Sequence, residues 1–252
     1  MYDDEDLKII DPDVEFDDPL DHIAPLGDAA EEETPIDPAV MLRLLDAPQA
    51  QQRMLAARAF CEIEEPKAIP RLIELLKDDC PLVRVSAAYA LGRNSDKTAI
   101  APLIQQLSDW NGYVRKGIVW ALGNSHNPAV VSPLVDALKT DIPAVRLWAA
   151  SALAQTAKIG YEAVVMAIPP IIEVMRRDPI AAVRSNCAWA VGQLSRELPS
   201  NVVYATAIDA LIETFAEDDD LGVREDARTA ILQVGDPRGL QVIEELEQDG
   251  WF

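Results

Sequence analysis

Apolar residues recur along this chain with the spacing of amphipathic helices. In residues 68–92, which read AIPRLIELLKDDCPLVRVSAAYALG, Leu72, Ile73 and Leu76 fall on one face of a first helix. A short acidic turn follows, and a second run of apolar and small residues ends at Gly92. The pattern predicts two helices joined by a tight turn, called here the A helix and the B helix.

The same unit recurs along the chain, and a Val-Arg pair near the start of each B helix marks its register. The marker arginines are Arg84, Arg115, Arg146, Arg184 and Arg224. Their spacing of 31, 31, 38 and 40 residues is typical of stacked two-helix repeats, none of which buries its apolar face alone. A weaker first copy spans residues 38–61. The two longer steps predict extended loops around residues 158–167 and 195–206.

Prolines and the chain's ending complete the predicted architecture. A proline lies near the expected start of five A helices, where the first turn needs no backbone donor. These prolines are Pro38, Pro70, Pro102, Pro133 and Pro170. Residues 239–252 read as a last helix that would close the open end of the stack. We therefore predict an all-α fold, an α-solenoid over residues 37–252 with about six repeats and a C-terminal capping helix.

An aspartate precedes each marker arginine by five to seven residues. This spacing predicts a structural ladder of charge-assisted hydrogen bonds that tie each turn to the adjacent repeat. The predicted ladder comprises Asp79, Arg84, Asp109, Arg115, Asp141, Arg146, Asp178, Arg184, Asp219 and Arg224, with Asp78 and Asp218 as alternatives to their neighbours. The alternative interpretation, a row of arginines for an anionic ligand, is weakened because each arginine comes with an aspartate that would neutralise it.

The charge of the chain is strongly negative and unevenly distributed. The net charge is −21, and residues 1–36 contribute −13 of it through fourteen acids and one lysine. Such a surface repels nucleic acid and anionic membranes on average. No apolar run reaches the roughly 18 residues that a spanning helix needs. Three cysteines without close pairing suit a reducing cytoplasm, which is the expected compartment.

The acidic segment 1–36 is predicted to be a largely disordered tail, because too few apolar groups are present to offset the entropy of ordering. Several large apolar residues nevertheless lie among its acids. The tail is thus either a solubilising segment, or a linear motif that binds a partner or folds back over the protein's own groove.

The B helices are expected to line the concave groove of the solenoid. On a helical wheel, positions −1, +3, +6 and +7 from the marker arginine face the core, and position +5 faces away from it. The residues predicted to form a partner-binding groove are Arg58, Tyr89, Arg93, Lys116, Trp120, Asn124, Trp148, Trp189 and Gln193. Exposed aromatic and arginine side chains are typical of protein-binding surfaces. The alternative is that the rings pack between neighbouring B helices. Trp110 and Trp251 are expected to be local packing residues.

No recognisable catalytic or metal-binding motif occurs in the sequence. It lacks a P-loop, a GxGxxG after a strand, an HExxH and a CxxC, and its two histidines suggest no catalytic arrangement. Cys187 lies at a core position, and Cys61 and Cys80 lack the spacing of metal ligands. We expect no catalytic residues, no metal and no bound cofactor.

The order of proline in the A helix, aspartate before the B helix, Val-Arg and then Ala-Leu-Gly resembles the HEAT repeat family. The short 31-residue step is similar to the subgroup of phycobilin lyase-like HEAT repeats. The acidic start and the ending ILQVGDPRGLQVIEELEQDGWF are similar to cyanobacterial members that bind an IscA-type iron–sulfur carrier. The resemblance implies a right-handed superhelix and a non-catalytic scaffold, with any iron–sulfur cluster held by the partner. The alternative that it implies is a phycobilin lyase or isomerase that handles phycocyanobilin for a phycobiliprotein.

Overall fold

The computed structural model describes residues 36–248, and within that range the chain is built of thirteen α-helices without a strand. The helices are α1 (Pro38–Leu44), α2 (Ala50–Ala59), α3 (Ile69–Leu75), α4 (Pro81–Arg93), α5 (Lys97–Gln106), α6 (Gly112–Asn124), α7 (Val131–Thr140), α8 (Pro143–Ala154), α9 (Tyr161–Arg177), α10 (Ala181–Ser195), α11 (Val202–Glu217), α12 (Leu221–Val234) and α13 (Pro237–Gln248). Short 3-10 helices cover Pro66–Ala68, Pro128–Val130 and Gln155–Lys158.

The helices form two layers of hairpins. The even-numbered helices α2 to α12 are the B helices, and each packs against the next B helix along the chain. The odd-numbered helices α1 to α11 are the A helices, and α7, α9, α11 and α13 pack in succession. The all-α solenoid predicted from the sequence is confirmed.

Each repeat contributes equivalent apolar residues to one continuous core. One leucine or isoleucine from each A helix after α1 is fully buried, and these residues are Leu72, Leu103, Leu134, Ile171 and Leu211. The valine before each marker arginine is buried in the same way, at Val83, Val114, Val145, Val183 and Val223. Burying such a side chain contributes about 1.5–3 kcal/mol, so the repeated pattern stabilises every hairpin against its neighbours.

The arginine–aspartate ladder connects successive repeats along the turns between A and B helices. The Arg84 guanidinium donates through Nε and Nη2 to the carboxylate of Asp109, at 2.7 and 3.0 Å, and through Nη1 to the Asp78 carbonyl, at 2.8 Å. The five rungs within the described range are Arg53–Asp78, Arg84–Asp109, Arg115–Asp141, Arg146–Asp178 and Arg184–Asp218. Each arginine therefore holds its own turn and the turn of the next repeat.

At two rungs the predicted aspartate was wrong by one residue. Asp79 and Asp219 were predicted as rung residues, whereas Asp78 and Asp218 form the rungs in the structure. Each rung aspartate here accepts a hydrogen bond from the backbone N–H two residues later, the residue that caps the B helix. This local turn fixes the carboxylate toward the preceding repeat. Arg224, predicted to pair with Asp219, instead donates to the carbonyl of Phe215 at 2.9 Å.

The longer steps between repeats are taken up by longer helices, so the predicted extended loops are wrong. The helices α9 and α11 span 17 and 16 residues, whereas α5 and α7 span 10 each. Buried Val164 and Ile168 extend the apolar face of α9 toward its N-terminus. Asn201 caps α11 by accepting a hydrogen bond from the Tyr204 backbone N–H.

Two of the prolines expected at helix starts lie inside helices instead. Pro102 is in the sixth position of α5, and Pro170 follows Pro169 within α9. A proline inside a helix removes one backbone donor. The upstream residues Ala99 and Ile100 are buried against the core, which favours continuing the helix toward its N-terminus.

Some predictions fall outside the described residues. These are the disordered tail at residues 1–36, of which only Ile36 is described, and the local packing role of Trp251. The predicted capping helix is present as α13, which contacts both α11 and α12. Among residues 36–248, no helix has the length and apolar character needed to cross a membrane.

Candidate binding surface

The nine predicted groove residues come from successive B helices, and we call the surface that they form the B-helix face. Tyr89 in α4 and Trp120 in α6 bring their ring centroids to 5.0 Å, with the ring planes tilted by 49°. The guanidinium of Arg93 lies 5.6 Å from the centre of the Trp120 ring. Gly92 makes room for this ring, since a β-carbon there would lie 2.4 Å from Trp120 Cζ3.

A second pair of a cation and a ring joins the next two B helices. The Lys116 ammonium in α6 lies 4.9 Å from the centre of the Trp148 ring in α8. A cation over the face of a tryptophan is attracted by the ring's quadrupole, by about 0.5–1 kcal/mol at exposed sites and more where water is excluded. The B-helix face is thus ordered by contacts between neighbouring repeats.

Two of the nine residues are less accessible than the sequence analysis expected. Tyr89 and Lys116 were predicted as exposed groove residues, but they are only 8% and 7% exposed. The physical reason is the close lateral packing of the B helices, which brings each side chain onto a ring of the next repeat. The exposure of Tyr89 and Lys116 was therefore predicted wrongly, and Trp120 and Trp148 are half-buried.

Trp189 in α10 is the most accessible of the predicted rings, at 37% exposed. It lines a pocket of about 340 Å³ between the end of α8, the 3-10 helix after it and the second half of α10. The pocket is lined by Ala154, Gln155, Ala157, Lys158, Trp189, Gln193, Arg196 and Glu197. The pocket thus combines one aromatic ring with two amides, two cations and one carboxylate, so it can contact both the apolar and the charged part of a ligand.

Polar side chains also link neighbouring B helices on this face. The Asn186 amide in α10 donates to the Leu147 carbonyl at 2.6 Å and to the Ser151 hydroxyl at 2.7 Å in α8. The Gln193 amide donates to Gln233 in α12 at 3.3 Å. Among the remaining predicted residues, Arg93 is exposed, whereas Arg58 and Asn124 are half-buried.

The charge on the B helices differs from that of the chain as a whole. The chain contains 43 acidic residues, yet none of them lies within the five helices α2, α4, α6, α8 and α10. This pattern did not contribute to the predicted groove, which does not include Gln155, Lys158 or Arg196. The signal was present in the sequence as a run of B helices without Asp or Glu.

The described residues offer no constellation for metal binding. No group of three or more His, Cys, Asp or Glu side chains between residues 36 and 248 is placed to hold a metal ion. Cys187 is buried, and this burial raises the pKa of its thiol well above the usual range. A neutral buried thiol is a poor nucleophile, so Cys187 acts as a packing residue.

The predicted packing role of Trp110 is corrected by the structure. Its side chain is 76% exposed, and its ring lies 5.6 Å from the guanidinium carbon of Arg84 at the turn before α6. Trp110 therefore lies on the ladder edge of the repeats, apart from the B-helix face.

Similar folds occur among solved structures. A designed armadillo repeat protein in complex with the peptide (KR)4 is 22% identical, with a TM-score of 0.58 over 79% of this chain and 100% of that chain. The complex of CpcE and CpcF of phycocyanin lyase from Nostoc sp. PCC7120 is 21% identical, with a TM-score of 0.57 over 85% of this chain and 83% of that chain. These likenesses concern the fold alone.

Sequence comparison identifies the family. No curated protein sequence matches the chain significantly. The family model described as HEAT repeats matches residues 38–106, 100–168 and 168–251, which together span most of the chain. With the stacked hairpins and the ladder that joins them, this match shows that the chain belongs to the HEAT repeat family.

Proposed function

We propose that this protein is a non-catalytic scaffold that binds another protein through its B-helix face. The observation that carries the proposal is the exposed ring of Trp189 beside its pocket, on the same face as the Arg93–Trp120 and Lys116–Trp148 pairs. Tryptophan and arginine contribute much of the binding energy at protein interfaces when a partner excludes water from them.

The fold is compatible with this role. In a stack of hairpins, each repeat presents an equivalent set of side chains on one long surface. Such a surface can contact an extended segment of a partner protein along its length. A designed armadillo repeat protein of similar fold holds the peptide (KR)4. This likeness supports peptide or protein binding as a general use of the architecture, without naming the ligand of this chain.

Affinity capture with a matched control tests the proposal. The full-length protein, its Trp189→Ala variant and its Trp110→Ala variant are immobilised and exposed to the same cell lysate. Both variants lose an exposed tryptophan, but only Trp189 lies on the B-helix face. We expect Trp189→Ala to lose specific partners that Trp110→Ala retains. Identical partner lists from all three proteins would contradict a role for this face.

For the identity of the partner, we infer an IscA-type iron–sulfur carrier. The support is the resemblance of the acidic start and the C-terminal ending to HEAT-repeat proteins that bind such carriers. The carrier would supply the cluster ligands, since Cys187 is buried and no metal-binding group occurs among residues 36–248. Calorimetric titration of a purified carrier into the full-length protein tests this assignment, and absence of heat at micromolar concentrations would remove it.

The alternative function is that of a phycobilin lyase or a bilin-handling protein. The observation that favours it is the likeness in fold to the CpcE and CpcF complex of phycocyanin lyase. A bilin ring would stack on Trp189, and its propionates would meet Lys158 or Arg196. Addition of phycocyanobilin should then shift its absorption band, and Trp189→Ala should weaken this shift. An unchanged spectrum would exclude this alternative.

A further inference from the structure

The charge pattern of the B-helix face defines the chemistry of the segment that it binds. Five consecutive B helices, α2 to α10, lack acidic residues in a chain of net charge −21. They carry the five ladder arginines, which the rung aspartates neutralise, together with Arg58, Arg93 and Lys116. Two more cations, Lys158 and Arg196, flank the same face at the Trp189 pocket.

The two cations at the pocket differ from the ladder arginines in having no carboxylate partner. Within residues 36–248, neither Lys158 nor Arg196 forms an ion pair, and both side chains are exposed. By contrast, Arg184 in α10 holds the Asp218 carboxylate through two hydrogen bonds. The positive charge of Lys158 and Arg196 is therefore available to an incoming anion.

The pocket lies where the spacing between repeats first widens from 31 to 38 residues. The chain between α8 and the lengthened helix α9 forms the 3-10 helix Gln155–Lys158, and Gly160 follows with a φ of +135°, in the region that favours glycine. This connection brings Lys158 next to the end of α10, where Arg196 lies. Between them, Trp189 offers an aromatic surface, while the Gln155 and Gln193 amides offer hydrogen bonds.

The geometry points to an acidic linear segment of a partner protein as the ligand, anchored at the Trp189 pocket by an apolar or aromatic residue with carboxylates on either side. This inference rests on the proposed function and specifies it. Carboxylates complement Lys158 and Arg196, which outnumber the one acidic residue that lines the pocket, Glu197. The five B helices add no acidic residue that would repel such a segment. The (KR)4 peptide held by the designed armadillo protein has the opposite charge.

Fluorescence anisotropy with synthetic probe peptides tests the inference on the full-length protein. The first probe is a short labelled peptide in which leucine and phenylalanine lie between glutamates. A second probe has glutamine in place of every glutamate, and a third is the basic (KR)4 peptide. We expect the glutamate peptide to bind at least about tenfold more tightly than either control at low salt, and this preference to shrink as salt screens the charges.

Matched variants locate the site. Lys158→Gln combined with Arg196→Gln should weaken binding of the glutamate peptide by about tenfold and reduce its salt dependence. Arg177→Gln removes an exposed cation from the A helix α9 and should leave binding unchanged. Because none of these side chains is buried, thermal melts followed by circular dichroism should coincide with that of the unmodified protein.

The outcomes separate this inference from the proposed function. Equal binding of the glutamate and glutamine peptides, or tighter binding of (KR)4, overturns the acidic ligand. If Trp189→Ala still weakens whichever peptide binds, the B-helix face survives as a binding surface while its preference for acidic segments fails. An equal loss of affinity in Arg177→Gln also overturns the inference, because the effect would then come from net charge alone.

Discussion

Each rung of the ladder uses the planar guanidinium of an arginine to join two repeats. The pair Arg84–Asp109 is the most buried rung, with side chains 7% and 5% exposed. Its two parallel hydrogen bonds need the fork of a guanidinium, which a lysine ammonium does not have. At this scale, side-chain geometry and burial together decide how strongly adjacent turns are coupled.

The Arg84–Asp109 rung predicts that even a conservative substitution of its arginine lowers the stability of the fold measurably. Arg84→Lys should lower the free energy of unfolding by about 1.5–3 kcal/mol, since it leaves part of a buried carboxylate without its donors. Arg177→Lys, on the exposed surface of α9, should change stability by less than about 0.5 kcal/mol. Urea denaturation measures both variants, and equal effects would show that the ladder does not stabilise the fold.

The ladder also predicts acid sensitivity. Burial raises the pKa of the Asp218 carboxyl, but hydrogen bonds from Arg184 and from the Asp220 backbone N–H outweigh burial and hold the pKa below its usual range. A carboxyl whose folded pKa lies below its unfolded value stabilises the fold above the unfolded pKa of about 3.9, and this contribution is lost as pH falls through the folded pKa.

Melting temperatures measured from about pH 5 down to about pH 2 should therefore fall less steeply for Asp218→Asn than for the unmodified protein. The adjacent variant Asp219→Asn, which removes no rung, should follow the unmodified curve. If Asp219→Asn flattens the curve to the same extent, the acid sensitivity does not come from the rung.

At the scale of helices, two glycines of α6 have opposite surroundings. A β-carbon at Gly123 would lie 2.9 Å from the backbone Cα of Ala152 in α8, so one of the two helices would have to move. At Gly117 a β-carbon would make ordinary contact with Tyr89 and Ala88, at 3.5 Å and 3.6 Å. Substitution of glycine by alanine should therefore have different consequences at these two positions of α6.

We expect Gly123→Ala to lower the free energy of unfolding by about 1–3 kcal/mol, because a tightly packed contact is overfilled. Gly117→Ala should instead stabilise the protein by up to about 1 kcal/mol through its higher helix propensity. Chemical denaturation of both variants tests the pair. Stabilisation by Gly123→Ala would show that the α6–α8 contact tolerates more volume than its geometry indicates.

Much of the fold could be predicted from the sequence, because it depends on a local pattern repeated many times. The valines and leucines at equivalent positions, such as Val83 and Leu72, fix both the helix faces and the period. The burial of Tyr89 and Lys116 could not be predicted, because a helical wheel describes one helix alone and does not show how closely the neighbouring B helices pack beside it. The position of Lys158 was also missed, because it lies in the connection after α8, outside the repeated helix pattern from which the groove was predicted.

At the scale of the whole molecule, the linear stacking of repeats limits how far the destabilising effect of one substitution extends along the chain. In a solenoid each repeat contacts mainly its neighbours, so stability is a sum of local and nearest-neighbour contributions. Loss of the Arg115–Asp141 rung should therefore weaken the junction of α6 and α8 and leave distant repeats unaffected.

Hydrogen exchange followed by mass spectrometry can detect whether the loss of this rung affects only the neighbouring helices. Arg115→Ala should speed amide exchange in α6 and α8, while peptides from α12 keep their original protection. The α12 helix serves as the internal control, since it contacts neither α6 nor α8 to a comparable degree. Uniformly faster exchange along the chain would indicate a single cooperative unit instead.

The row of B helices is not equally tight along its length. Glycines at Gly92, Gly123 and Gly192 allow three pairs of helices to approach so closely that a β-carbon would collide with the next helix. The equivalent positions at the other two junctions hold Cys61 and Ala154, and those helices contact each other less extensively. We expect bending of the row of B helices to concentrate at these two less tightly packed junctions. The second of them, between α8 and α10, carries Trp189, so such bending would change the width of the proposed binding site.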